Sequence, residues 1–289
     1  MPEISPGLYR AGSGEPVVLL HGFTGTWHHW RPLLGELAAR YEVIAPTLAG
    51  HAGGPAPEAG MTSLAAAADS LEGHLSDLGV GTAHFVGNSL GGALGLELAK
   101  RGRARSLVAL APAGGWTPGD GEAKRLARFF YRQTRLTRVT APRIGRILRN
   151  PSLRRLALRD VMRHGELISP QDAIDMAQLS LRCTVIDDAI SALRADDRGV
   201  TVQDLDRIDC PVLLAWPQFD RVLPLERHAT RYRRDIPGVE LVQLPDCGHV
   251  PMWDDTRAVL RAITGLVDAH RAPNTAGEPG RPGAPAPVF

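Results

Sequence analysis

Short apolar runs recur between longer helical patterns, and this alternation restricts the fold more than any other feature of the 289-residue chain. Pro16–Leu20 (PVVLL), Glu42–Pro46 (EVIAP), Ala83–Gly87 (AHFVG), Ser106–Ala111 (SLVALA), Pro211–Trp216 (PVLLAW) and Glu240–Leu244 (ELVQL) are rich in Val, Leu or Ile. They lack clean polar alternation, as do strands buried on both faces of a parallel sheet. Helical patterns fall at about Trp30–Arg40, Ser63–Leu78, Leu90–Arg101, Leu225–Arg234 and Asp254–His270. The expected class is α/β, a mostly parallel central sheet with helices on both faces.

The alternation breaks once, between residues 114 and 202, where helical stretches are punctuated by Pro142, Pro151 and Pro170. This segment is expected to be an all-helical cap inserted into a core made of residues 1–113 and 203–271. Residues 272–289 are Pro/Gly-rich and nearly devoid of large apolar side chains, the composition of a disordered tail. The N-terminus lacks the basic-then-apolar pattern of a signal peptide, and no apolar run reaches the roughly 18 residues of a membrane span.

The stretch Gly87-Asn88-Ser89-Leu90-Gly91 sits between an apolar strand pattern and a helical one. A Gly-x-Ser-x-Gly corner there forces the serine into a strained conformation and projects its hydroxyl above the sheet edge. The helix starting at Leu90 would aim its free N–H groups at the site and favour a developing negative charge. A serine nucleophile needs a base, and the base an orienting acid. In this topology both follow later strands, acid first. Asp220, just past the strand ending at Trp216, and His249, just past the strand ending at Leu244, fit those places. An imidazole with a pKa near 6.5 can take and return a proton at neutral pH.

Asp246 is the rival acid, but it lies only three residues before His249. His28 and His29 open a helix, His74 is inside one, and His164, His228 and His270 occupy basic or exposed stretches. His84, His21 and His51 are read as structural hydrogen-bonders. In the loop His21-Gly22-Phe23-Thr24-Gly25, glycines let the backbone approach the corner, so the Phe23 N–H is expected to join that of Leu90 in an oxyanion hole.

HGFTG, GNSLGG, FDRVLPL and CGHVPMW, in this order and spacing, resemble the α/β-hydrolase superfamily over roughly residues 8–112 and 205–270. The resemblance implies a serine hydrolase of carboxylic esters, working through an acyl-enzyme, with catalytic Ser89, Asp220 and His249. It also implies two extra antiparallel strands at the start of the sheet. This N-terminus has room for little more than one, near Leu8–Arg10. Ser89 argues against the epoxide hydrolase and haloalkane dehalogenase branches, which carry aspartate at the corner. GNSLGG, CGH and Trp253 are similar to the hydrolases of meta-ring-fission products, although Val250 stands where those have an aromatic residue. C–C hydrolysis or perhydrolysis is therefore the alternative, and a ligand-binding protein on a hydrolase frame the next.

Net charge is +2, which gives no bulk attraction for nucleic acid. Cys183, Cys210 and Cys247 form neither a metal spacing nor a disulfide framework, which suits a reducing cytoplasm. No metal or cofactor is needed for the expected chemistry; the partner is a small-molecule substrate. From Lys124 to Arg163 there are 13 Lys/Arg and one acidic residue, Asp160. This charge either attracts an anionic substrate or a membrane surface carrying lipid esters, or is a solvated helix face. Trp116, Phe129, Phe130, Tyr131, Met162 and Met176 are candidates for an apolar pocket lining, with Val250 and Trp253 beside the histidine.

Overall fold

The computed structural model describes residues 2–57, 63–195 and 198–271. The strands are β1 (Glu3–Ser5), β2 (Leu8–Ala11), β3 (Pro16–Leu20), β4 (Glu42–Pro46), β5 (Ala83–Asn88), β6 (Ala104–Leu110), β7 (Val212–Pro217) and β8 (Glu240–Leu244). They form one sheet in the order β1-β2-β4-β3-β5-β6-β7-β8, parallel from β4 to β8 and antiparallel across β1, β2 and β4. The N-terminus thus holds two strands, not the single one expected. The turn at Pro6-Gly7 is tight enough for the three-residue β1 to fold straight back onto β2. The expected disordered tail lies outside the described residues.

Side chains alternate across the sheet with the two-residue period of a strand. Val18, Leu20, Phe85, Leu107 and Ala109 face one core, with α2 (Leu64–Asp77), α3 (Leu90–Lys100) and α9 (Leu225–Asp235). Val17, Leu19, Val86, Val108 and Leu110 face the other, with α1 (Arg31–Ala38) and α10 (Thr256–Ala269). Both faces are covered, which is why β3 to β7 read as continuous apolar runs. β8 is the exception: as an edge strand it keeps Val242 exposed, and its sequence carries Glu240 and Gln243.

β3 lies between β4 and β5, so the chain leaves its C-terminal end in one direction and returns on the other side. The loops after β3 and β5 therefore diverge over a crevice at the sheet's C-terminal edge, where open α/β sheets bind ligands. Leu20 pairs with Gly87, which sets the loop after β3 beside the corner at Ser89.

Between β6 and β7 the chain forms the helical insertion α4 (Glu122–Thr140), α5 (Ile144–Arg149), α6 (Pro151–Leu158), α7 (Pro170–Ser180) and α8 (Ile186–Ala195). The prolines that punctuate the sequence start helices rather than break them. Pro151 and Pro170 are first residues of α6 and α7, behind N-caps Asn150 and Ser169 whose side chains accept from Leu153 N and Asp172 N. The insertion is braced by Arg154, a buried cation. Its guanidinium donates to the carbonyls of Leu148 (2.7 Å) and Arg149 (3.4 Å) at the end of α5, and to Gly165 (3.2 Å) and Glu166 (2.7 Å). A cation at the negative end of a helix is electrostatically favourable. Arg154→Ala strands these carbonyls in a buried place and is expected to cost about 3 kcal/mol. Thermal unfolding together with proteolysis between residues 141 and 168 checks this; an unchanged transition and an uncut segment would refute the bracing role.

Candidate functional site

Ser89 adopts φ 56° and ψ −113°, a conformation L-residues rarely take, which costs on the order of 1–3 kcal/mol. The glycines around it are required by contact. A Cβ on Gly87 would lie 2.2 Å from Gly91 O, and one on Gly91 would lie 2.1 Å from Leu20 O. The first turn of α3 can thus press against the ends of β5 and β3. Ser89 N donates to Leu110 O (2.9 Å), fixing the corner to β6.

Asp220 and His249 come together across 29 residues. His249 Nδ1–H donates to Asp220 Oδ2 at 2.7 Å, and both side chains are almost wholly buried. The second carboxylate oxygen accepts from Val222 N (2.8 Å) and Leu223 N (2.7 Å). With both oxygens engaged, the carboxylate is held against the imidazole and fixes its tautomer. The two loops are tied by Phe219 N to Cys247 O (2.9 Å). The rival, Asp246, turns away to Arg163 and His164, at 3.0 and 2.8 Å, and is largely exposed.

Two residues that the sequence reading passed over complete the frame. Asn88 Nδ2 donates to His249 O (3.0 Å) and Leu110 O (3.2 Å), linking the serine corner to the histidine loop. Asp254 accepts from Gly248 N (2.8 Å), Arg163 N (2.9 Å) and His164 N (2.8 Å), joining that loop to the insertion. Neither was legible, because an Asn inside a glycine motif and an Asp before a helix have several ordinary uses.

Ser89 and His249 open onto one cavity of about 180 Å³, walled by the loop after β3 (Gly22, Phe23, Thr24) and the inner faces of α4 to α7. Phe129, Phe130, Met162, Met176 and Val250 line it as expected. A smaller cavity of about 60 Å³ reaches Ser89 from the α8 side, with Phe130 shared and Trp116 on its wall. Phe23 and Phe130 meet edge to face at 4.9 Å where the two adjoin. Trp253 lines neither cavity and packs against the second core; Tyr131 is exposed on the outside of α4. No arginine or lysine lines either cavity among the described residues, so the insertion's charge does not face the serine.

Burial explains the other histidines. His21 accepts from Leu48 N (2.9 Å) and pairs with Gly22 O (2.8 Å), as expected of a structural residue, and burial holds its pKa well below the usual value. His51 Nδ1 bonds Ala49 O, and burial pushes its pKa down to about 4. His84 bonds Ser106 Oγ (2.8 Å). His29 lies in the main cavity wall, over Gly25, where a Cβ would be 2.7 Å from the ring; burial, then the histidines around it, push it to about 4. His228 lies in a basic stretch, as expected, yet is fully buried, because α9 turns it inward under the edge of Trp116, 3.2 Å from Glu122. Burial outweighs Glu122 and takes it to about 4. Cys247 is buried packing, its thiol pushed up to about 12 and inert. No cluster of three or more His, Cys, Asp or Glu suited to a metal occurs among the described residues.

This fold and site meet a family by direct comparison. Residues 17–262 match the model described as Alpha/beta hydrolase family. The chain belongs to that family. Epoxide hydrolase EphH of Mycobacterium tuberculosis is 32% identical over 213 residues, 71% of this chain and 95% of that one. The pimeloyl-[acyl-carrier protein] methyl ester esterase of Neisseria meningitidis serogroup C is 30% identical over 266 residues, 84% and 90% of the two chains. Among solved structures, 2-hydroxy-6-oxo-6-phenylhexa-2,4-dienoate hydrolase from Rhodococcus sp. strain RHA1 superposes with a TM-score of 0.71 at 21% identity. That match covers 90% of this chain and 94% of the other, and it reports on the fold. No described helix is long and apolar enough to cross a membrane.

Two expectations follow. Asn88→Ala removes the donor from the carbonyl of His249 and should lower kcat about tenfold or more with little change in KM, consistent with a lost buried hydrogen bond; steady-state kinetics decide, and an unchanged kcat would deny Asn88 its positioning role. His29, His51 and His228 stay neutral in the fold down to about pH 4, whereas the unfolded imidazole protonates near 6.5. Their contribution to stability is whole above pH 6.5 and is lost as the pH falls to about 4. Near pH 5 the unfolded chain should bind about three more protons through them. A urea midpoint that does not fall between pH 6.5 and 5 would refute this.

Proposed function

We propose that this protein hydrolyses uncharged carboxylic esters through an acyl-enzyme. The observation that carries the proposal is the hydrogen-bonded Asp220–His249 pair opening, with the strained Ser89, onto one apolar cavity. Ser89 Oγ attacks the ester carbonyl while His249 Nε2 takes its proton. Asp220 stabilises the imidazolium, which then protonates the departing alkoxide; water deacylates the serine by the same groups in reverse. The tetrahedral oxyanion falls to the N–H groups of Phe23 and Leu90. The Leu90 N–H belongs to the first turn of α3, where it has no acceptor within the helix, and each such donor is worth about 3 kcal/mol in the transition state. Residues 114–202 act as the cap whose inner faces hold the apolar part of the ester, and residues 1–113 with 203–271 act as the hydrolase core.

The chemistry of the corner separates this reading from that of the epoxide hydrolase relative. A carboxylate that opens an epoxide leaves an ester, which water can cleave. A serine that did so would leave an alkyl ether, which the same groups cannot hydrolyse. The wall of the cavity separates it from the dienoate hydrolase reading. That substrate carries a carboxylate, and an unpaired carboxylate taken into this lining would cost several kcal/mol. His29 does not serve as a counter-charge, since it is neutral above about pH 4.

A fluorophosphonate probe should label the wild-type chain at Ser89, and Ser89→Ala should lose both the label and at least about 10³-fold in kcat on short p-nitrophenyl esters. Folded protein that neither takes the label nor turns over any such ester would sink the proposal. An apolar acyl ester should exceed its carboxylate-bearing counterpart by at least about 10²-fold in kcat/KM; equal rates would remove the argument from the cavity wall.

A further inference from the structure

The insertion's inner faces are accounted for by the cavity, but its outer faces are not. On α4, Phe130, Gln133, Thr134 and Thr137 point inward at helical spacing. The opposite face carries Arg128, Arg132, Arg135, Leu136 and Val139, all exposed. α6 repeats the arrangement: Ala157 and Leu158 border the cavity, while Leu153, Arg155, Leu156 and Arg159 face outward.

Two features of this outer surface are unusual together. Nine large apolar side chains are exposed among the described residues, and six of them (Tyr131, Leu136, Val139, Leu153, Leu156 and Leu167) lie within residues 131–167. Leu136 is 59% exposed and Val139 69%, more than a solvated helix face requires. Basic charge accompanies them. The seven arginines from Arg128 to Arg149 have no carboxylate within 4.0 Å among the described residues, whereas Arg125, Arg155, Arg159 and Arg163 each have one. Hydrophobic side chains set among unneutralised arginines on an exposed helix face are what an interfacial membrane-binding surface presents to anionic lipid.

We propose that the outer face of α4–α6 docks on an anionic phospholipid surface. The charge complementarity selects lipid: the arginines meet headgroup phosphates while Leu136, Val139, Leu153 and Leu156 enter the acyl boundary. The placement also bears on the substrate. The helices that would touch the bilayer are the ones whose other faces wall the cavity at Ser89, so an apolar ester leaving the membrane has only the thickness of one helix layer to cross. This last step, a membrane-borne ester substrate, rests on the ester hydrolase reading; the docking does not.

Co-sedimentation of the full chain with phosphatidylglycerol-containing phosphatidylcholine vesicles, beside pure phosphatidylcholine vesicles, tests the docking. Binding should favour the anionic vesicles and weaken with salt. Arg132→Gln and Arg135→Gln should each lower it about fivefold, and the Leu136→Glu, Val139→Glu double variant should abolish it. All these positions are exposed and outside the cavity wall, so turnover of a water-soluble ester should stay unchanged and certify the fold. Ser89→Ala should bind vesicles as the wild type does. Failure to bind anionic vesicles at low salt, equal binding to neutral ones, or insensitivity to the four substitutions would overturn the proposal. So would a dimer in solution that Leu136→Glu converts to monomer, since a second copy would then cover the face, or a preference for an acidic polypeptide over vesicles. Vesicle binding without any ester turnover would leave the docking standing and remove the ester reading instead.

Discussion

The contact between Gly87 and the first turn of α3 is the constraint on which the rest of the site depends. With a carbonyl 2.2 Å from where a Cβ would sit, no other residue fits at position 87 without moving the helix. The same holds for Gly91 against Leu20 O. Close packing of α3 on β5 and β3 forces Ser89 to φ 56° and turns the chain from strand to helix within one residue. The strain is held by the surroundings: Ser89 N bonds β6, its carbonyl accepts from Ala93 N and Ala113 N, and α3 is buried from Leu90 to Ala99. A conformation that costs a few kcal/mol persists only where its neighbours over-determine it.

From that corner the sheet positions everything else. β3 and β5 are adjacent and in register, so the Phe23 loop arrives beside Ser89. β7 and β8 follow on the far side of β6, so Asp220 and His249 come from two neighbouring strand ends. Asn88 then crosses the gap to His249 O, and Asp254 fastens the histidine loop to the insertion. A displacement of the histidine loop is therefore felt by the serine corner, the Asp220 loop and the insertion through direct hydrogen bonds.

How much of this could be read from the chain follows from the range of the forces involved. The buried strands declared themselves because residues covered on both sides must be apolar throughout, and five of the six predicted runs behave that way. The sixth, β8, is an edge strand whose exposed side tolerates Glu240 and Gln243. β1 escaped notice because three exposed residues, Glu3 to Ser5, carry no burial pattern at all. Gly87, Ser89, Asp220 and His249 were legible as places because their motifs report local backbone demands at strand ends. Which wall a distant side chain joins is a different matter. His29 reaches the cavity and Trp253 does not, although both stand near a motif, since that depends on how α5 to α7 pack, elements far from either residue in sequence. His228 sits in a sequence of charges, LERHATRYRRD, yet it is buried and meets Trp116 edge to face.

The insertion shows why a basic segment cannot be assigned by its charge alone. Thirteen basic side chains over the mouth of a hydrolase suggest an anionic substrate, but helical periodicity sorts them. On α4 the positions at Phe130, Gln133, Thr134 and Thr137 meet the cavity, and the arginines fall between them on the solvent side. Arg154, which does turn inward, is consumed by four backbone carbonyls and never reaches the site. The same helices thus present a neutral, apolar wall to Ser89 and a positive, partly apolar surface to the outside. Charge on the outer face can act on whatever the protein approaches, while the reaction proposed for Ser89 proceeds in a lining from which that charge is absent. On the two proposals, selection of the ester and selection of the surface it comes from are separable properties of one insertion, each carried by its own face of the helix.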